Sequence, residues 1–380
     1  MDNQVSPSPR ARWRPRLVAG FGAVLVLVAA GAAAGVLLQD RSGTGDGDGG
    51  AAGGGSPAPS SSPTPSPTPP PGADLRGPLN LLLAGIDARP NQPAWQPNAD
   101  AVMILHVDAS LSRAYLFSLP RDLLVDVPAF EPAGFGGAHT KLTHAMGYGS
   151  RVPGQELPDR AQGYQLLSET VRQYTGIERF DAGAVLNFPG FIELVDAVGG
   201  LDDFHVDQQV VSLHRAPDGS FRPLAAGGGG YVGPQKVYEV GEQHLSGWEA
   251  LDYARQRYLA GGDYTRQRHQ RQLVRALVRE LFAQDLVTDL AGLDRVLAAL
   301  GDALVFQGGG QRVVDFAFAL QEVGPNRIEL VDLPGRSVFS GGSYQGEQLD
   351  PVAGDFLAAV REDRVARFLA NHPRLAEPES

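Results

Sequence analysis

Residues 100–122 read DAVMILHVDASLSRAYLFSLPRD. Two stretches, 101–107 (AVMILHV) and 114–119 (AYLFSL), are aliphatic and aromatic and predict strands. The link DASLSR between them is short and turn-like, so the two pair as a hairpin. Antiparallel pairing puts the start of the first strand and the end of the second at one end of the sheet. Asp100 precedes the first strand, and Arg121 and Asp122 follow the second. These three side chains are therefore expected to be neighbours.

Upstream, 79–84 (LNLLLA) predicts a buried strand ended by Gly85, with Asp87 and Arg89 just beyond it. They join the same group if that strand runs parallel to 114–119. Two carboxylates with room beside them suit Mg²⁺, which takes one or two and completes its shell with phosphate and water. The competing reading is structural: Asp87, Asp100 and Asp122 cap turns, as aspartate often does.

Downstream, 165–175 predicts a helix stopped by Gly176, followed by a short strand near 183–187. PGFIELVDAVGG (189–200) has the early proline and terminal glycines of a helix. Ser246 and Glu249 form a capping box opening a helix to about Arg255. Residues 265–283 predict a helix with Leu273, Leu277 and Leu281 on one stripe. Helices at 290–300, 311–322 and 351–370 and a strand at 327–333 complete the chain. This mixture predicts a layered α/β or α+β domain.

The helix at 265–283 opens a second basic group: Arg255, Arg257, Arg266, Arg268 and Arg271, with Gln270. Arg266 and Gln270 are four apart and share a face. Arginine's planar fork suits phosphate oxygens, and several arginines suit a diphosphate. A solvated basic helix face is the competing reading. No GxxxxGK[ST] loop accompanies the arginines, so a nucleotide substrate gains no support. His139, His144, His244 and His269 lack a zinc-like spacing.

The N-terminal part has a different character. Leu17–Leu38 (LVAGFGAVLVLVAAGAAAGVLL) carries no charge and is long enough to cross a bilayer. Arg10, Arg12, Arg14 and Arg16 precede it, so residues 1–16 are expected in the cytoplasm and the rest outside. A cleavable signal peptide is the alternative. Residues 39–74, rich in Gly, Pro and Ser, predict a disordered linker, and 75–380 the folded domain. The 380-residue chain has a net charge of -11, which speaks against nucleic acid as a partner. It has no cysteine, which excludes disulfides and thiolate chemistry. Lys141 and Lys236 are the sole lysines, a usage that points to a GC-rich, actinobacterial genome.

Seven blocks occur in order: NLLLAGIDARP, ADAVMILHVD, SLPRDLLVDVP, KLTHAMGYG, NFPGFIELVDAVGGLD, LSGWEALDYARQR and GGDYTRQRHQRQ. In these blocks, spanning 79–283, the chain resembles the LytR-CpsA-Psr proteins. The layout of short tail, membrane helix, linker and external domain is also that family's. The resemblance implies a layered α-β-α domain with a central mixed sheet. It implies a Mg²⁺-dependent phosphotransferase of the cell wall, bound to the membrane. The donor would be a polyprenyl-pyrophosphate-linked glycan and the acceptor peptidoglycan. Asp87 and Asp100 match the family's metal carboxylates, and Arg121 and Asp122 its proline-arginine-aspartate motif. Asp100, Arg121 and Asp122 are thus the implied catalytic set. Arg89, Arg121, Lys141, Arg255, Arg257, Arg266 and Gln270 are the implied pyrophosphate ligands.

The chain departs from the family pattern in places. Ile86 and Ala88 stand where small hydroxyl residues are common, and Ala99 where serine is. Thr143 replaces an asparagine, Thr265 a glycine and His269 an arginine. Thr265 and His269 bear on the loop geometry and on one phosphate contact. They favour the alternative of a carrier-binding or regulatory protein with little transfer; a polyprenyl-pyrophosphate hydrolase is the other. Arabinogalactan or another secondary wall polymer is the glycan suggested by analogy.

Overall fold

The computed structural model describes residues 72–88, 92–228, 230–284 and 290–377. The apolar run at 17–38, the linker up to residue 71 and Arg89 lie outside the described residues. Among the described residues no helix is long and apolar enough to cross a membrane.

The core is a six-stranded mixed sheet. Its order is β11 (Leu304–Gln307), β6 (Ala182–Asn187), β1 (Leu79–Ile86), β2 (Ala99–Val107), β3 (Ala114–Leu119) and β12 (Ile328–Val331). β2 pairs antiparallel with both β1 and β3, while β6 lies parallel to β1 and β12 parallel to β3. The expected hairpin is present, with Val107 opposite Ala114 and Val102 opposite Leu119. Asp108 closes its turn, Oδ1 accepting from the backbone N–H groups of Ser112 and Arg113.

Strand alternation sends side chains to two cores. Leu81, Leu83, Leu105 and Leu116 face α3 (Phe188–Ala197), α4 (Gly247–Arg255), α5 (Gly262–Ala283), α6 (Leu290–Leu300) and α7 (Val313–Ala319). Leu82, Ala84, Ile104 and Phe117 face α1 (Thr143–Gly149), α2 (Arg160–Thr175), α8 (Pro351–Arg361) and α9 (Val365–Asn371). The result is the three-layer α-β-α arrangement. Four two-stranded pairs surround it: β4 (Leu124–Val127) with β5 (Ala138–Lys141), β7 (Leu201–Val206) with β10 (Gly241–Leu245), β8 (Val210–Val211) with β9 (Val237–Tyr238), and β13 (Gly335–Ser340) with β14 (Ser343–Leu349).

Local signals place most element ends. The Ser246–Glu249 capping box is formed, and α4 runs to Arg255 as expected. Leu273, Leu277 and Leu281 are all buried on α5. Other ends move. β1 continues through Gly85 to Ile86, because pairing with Ala99 and Ala101 of β2 carries it on. α2 begins at Arg160, since the Asp159 carboxylate accepts from the N–H groups of Ala161 and Gln162. The single helix expected over 351–370 is two. Asp363 breaks it with a left-handed φ of 50°. Its carboxylate is drawn to β2, accepting from Ala109 N at 3.0 Å and pairing with His106 Nε2 at 3.1 Å.

Candidate functional site

Because β1 and β3 both run antiparallel to β2, they run in the same direction. Asp87 after β1, Asp100 near the start of β2 and Arg121 after β3 therefore meet at one end of the sheet. Parallel β6 ends there too, so Phe188 at the start of α3 joins them. The β1–β2 register slips between Gly85 and Ile86, which pair with Ala101 and Ala99. Asp100 is the extra residue of this bulge, a device that re-aims a side chain at the edge of a site.

These residues wall a cavity of ≈ 370 Å³. Asp87, Asp100, Arg121, Arg255, Arg257, Arg266 and Gln270 all line it, with Trp95, Asn98, Phe188 and His214. Residues from three strand ends, α4 and α5 thus converge although they span more than half of the described chain. Arg255 lies over the Phe188 ring at 4.7 Å.

Arg121 is the hub. Its Nη1 donates to Asp100 Oδ1 at 2.6 Å, and its Nε lies 3.9 Å from Asp122 and 4.0 Å from Asp263. Burial works against the charged guanidinium, but Asp100 and the other two carboxylates outweigh it and hold its pKa above the ordinary value. Its Nε is buried between those two carboxylates, beyond hydrogen-bond distance of either. Arg266 is held from two sides. Its Nε donates to Asp263 Oδ1 at 2.8 Å and its Nη1 to the Asp100 carbonyl at 2.8 Å. Burial opposes the Asp263 charge, yet Arg266 and Arg121 keep that carboxyl below its ordinary range. Burial, and then Arg255, lower the pKa of His214, which favours a neutral ring in the cavity wall.

Not every expected residue reaches the cavity. Asp122 and Lys141 pair with each other at 3.1 Å and are not among its lining residues. β4 and β5 bring them together beside Arg121, with Leu124 opposite Lys141. The basic group of α5 also divides, because a helix turns about 100° per residue. Arg266 and Gln270 face the cavity, whereas Arg268 pairs with Asp207 at 2.9 Å. Arg271 is buried against Glu377, its Nε donating at 2.9 Å, and against Asp332.

The two departures on α5 also lie away from the cavity lining. Thr265 donates from Oγ1 to Ala260 O at 2.6 Å, closing the loop whose glycines Gly261 and Gly262 have φ of 85° and 58°. His269 is fully buried, stacked on Tyr253 at 4.4 Å and 3.3 Å from Asp207. Thr265 thus shapes the loop itself, as expected, whereas His269 is packed away from any phosphate contact in the cavity.

Several lining residues escaped the sequence reading. Phe188 follows β6, whose parallel pairing with β1 only the tertiary structure decides. Asp263, in the glycine-aspartate loop, does not line the cavity but braces Arg266 and lies near Arg121. His214 comes from a long connection with no local signal, and Trp95 and Asn98 from the irregular link between β1 and β2.

Among the described residues no group of three or more His, Cys, Asp or Glu is placed to hold a metal. Asp87 and Asp100 in a cavity shared with arginines still fit Mg²⁺, which needs only one or two carboxylates when phosphate supplies further oxygens.

Solved structures share the fold. A crystal structure of Bacillus subtilis TagV matches with a TM-score of 0.55 and 20% identity, covering 76% of this chain and 98% of that one. A Streptococcus agalactiae protein, gbs0355, matches with a TM-score of 0.58 and 22% identity, covering 77% and 88%. Among curated relatives, the cell wall biosynthesis protein LcpA of Corynebacterium glutamicum is 28% identical over 291 residues, 74% of this chain and 50% of its own length. The polyisoprenyl-teichoic acid–peptidoglycan teichoic acid transferase TagU of Enterococcus faecalis is 28% identical, over 59% of this chain and 60% of its own length. The matches thus span about half to three fifths of these relatives. The sequence pattern of the LytR_cpsA_psr family matches residues 58–353, which take in all seven motif blocks and the whole six-stranded sheet, and the chain belongs to that family.

Proposed function

We propose that this protein is a cell-wall transferase that moves a glycopolymer from a polyprenyl-pyrophosphate carrier to a peptidoglycan hydroxyl. The observation that carries the reading is the convergence of Arg121, Arg255, Arg257 and Arg266 on one cavity with Asp87 and Asp100. Four guanidinium groups in a small cavity match the charge density of a diphosphate. The teichoic acid transferase activity for which TagU is named supports the same reaction class.

In this reading Arg255, Arg257 and Arg266 bind the diphosphate, and Gln270 adds a neutral donor. Asp87 and Asp100 would hold Mg²⁺, which draws charge from the phosphate oxygens when bound. The acceptor oxygen forms a bond to the glycan-bearing phosphorus as the bond to the bridging oxygen breaks, and polyprenyl phosphate leaves. Arg121 stabilises charge gathering on the phosphoryl oxygens. Asp122, beside Arg121, takes the proton of the attacking hydroxyl. Residues 17–38 would anchor the chain in the membrane, with 75–380 outside the cell. Arg89 would join the phosphate ligands.

The test uses the full-length chain in detergent, a labelled polyprenyl-pyrophosphate glycan and peptidoglycan. Glycan attachment should require Mg²⁺, stop with EDTA and fall ~10²-fold or more in Arg121→Ala. Tight carrier binding without attachment would instead favour a binding protein. Phosphate release without attachment would favour a hydrolase.

A further inference from the structure

The Asp122 side of the site is built by a segment beyond the motif blocks, the β13–β14 hairpin. Its base is docked firmly. Glu347 N donates to Asp122 O at 2.8 Å, and the Glu347 carboxylate, 5% exposed, accepts from Tyr264 at 3.2 Å and Ser337 at 2.8 Å. The Tyr344 hydroxyl lies 2.8 Å from Glu347 Oε1 and 3.2 Å from Asp122 Oδ2, so its one proton serves either carboxylate. Lys141 Nζ stands 4.6 Å from the centre of the Tyr344 ring.

Above this polar base the hairpin shows aromatic surface. Phe339 is 63% exposed and Tyr344 41%. They are cross-strand partners, with ring centres 5.8 Å apart at 65°. Rings this exposed contribute little to the core, yet the network below holds them in place. An exposed aromatic pair with carboxylates at the Tyr344 hydroxyl and an ammonium over the Tyr344 ring matches a sugar, which has a face of C–H groups and a rim of hydroxyls. A membrane surface fits less well, since it favours basic residues around exposed rings, and here Asp122 and Glu347 stand at the Tyr344 hydroxyl.

We infer that Phe339 and Tyr344 form the platform that seats a sugar ring of the acceptor glycan, with Asp122 at the Tyr344 hydroxyl and Lys141 over one face of that ring. The inference rests on the transferase reading for the word acceptor, but the sugar site itself does not. The rings stand on the Asp122 side of Arg121, away from the residues that line the diphosphate cavity. An acceptor seated there presents its hydroxyl to Asp122.

The experiment measures binding of soluble, uncrosslinked peptidoglycan tetrasaccharide to the full-length chain in detergent by calorimetry, alongside transfer kinetics. Phe339→Ala should weaken tetrasaccharide binding about fivefold to tenfold and raise the acceptor KM by a similar factor, leaving the donor KM unchanged. Phe339→Trp should restore both. Because Phe339 is exposed, its loss should not alter the urea midpoint. Fragment binding that depends on Phe339 in a chain without transfer activity would support the platform while sinking the transferase reading. Absent binding by the wild-type chain, equal binding by Phe339→Ala, a change confined to the donor KM, or a loss only of binding to anionic vesicles would each overturn it.

Discussion

Arg121 at the end of β3 donates to Asp100 in the bulge of β2 across 2.6 Å. The bond ties the two ends of the hairpin together and leaves the rest of the guanidinium beside Asp122 and Asp263. A proposed phosphate ligand is thereby preorganised by its own counter-charges. The two strands that place it are the ones whose pairing was expected from residues 100–122.

Replacing Arg121 with lysine tests the fork rather than the charge. Lysine keeps a positive group near Asp100 but loses the planar set of donors. Arg121→Lys should lower the transfer rate ~10²-fold with little change in the urea unfolding midpoint. A rate near that of the wild type would show that charge alone suffices.

Asp122 is paired with Lys141 and lies within reach of Tyr344. Asp122→Asn keeps the shape but cannot accept a proton at neutral pH. Transfer should drop by ~10²-fold or more while equilibrium binding of the lipid-linked donor is preserved. Full activity would remove Asp122 from the mechanism.

Asp263 links site and stability through pH. Its folded pKa lies below the unfolded value of ~3.9, because Arg266 and Arg121 outweigh the cost of burial. The stabilisation is therefore fully present above the unfolded value and is lost as pH falls through the folded one. Urea midpoints of the wild type and Asp263→Asn should differ at pH 7 and draw together only as pH falls below the unfolded value of ~3.9. A gap independent of pH would contradict this assignment.

His269, expected from the sequence motif to replace an arginine, is fully buried against Tyr253. Restoring the arginine should not speed transfer. It should overfill the stack and lower stability by ~1–3 kcal/mol, read as a lower urea midpoint at unchanged slope. A faster and equally stable variant would show that the side chain turns toward the cavity.

Much of the site was legible because local rules constrain it. Two continuous apolar runs with a short link made the β2–β3 hairpin, and antiparallel geometry brought Asp100 to the same sheet end as Arg121. The i, i+4 spacing put Arg266 and Gln270 on one face of α5. The capping box set the start of α4, which carries Arg255. Which face of α5 looks into the cavity was not local. It was decided by burial of Leu273, Leu277 and Leu281, which sends Arg268 and His269 to Asp207 and Arg271 to Glu377. The break at Asp363 depends on contacts with His106 and Ala109, some 250 residues earlier in the chain. The docking of Glu347 onto Asp122 likewise joins segments far apart in sequence. The sequence alone determined the elements and the shared end of the hairpin, since neighbouring residues supply those constraints. The tertiary structure decided which charges face the cavity and which pair elsewhere, because partners distant along the chain become neighbours only once the layers pack.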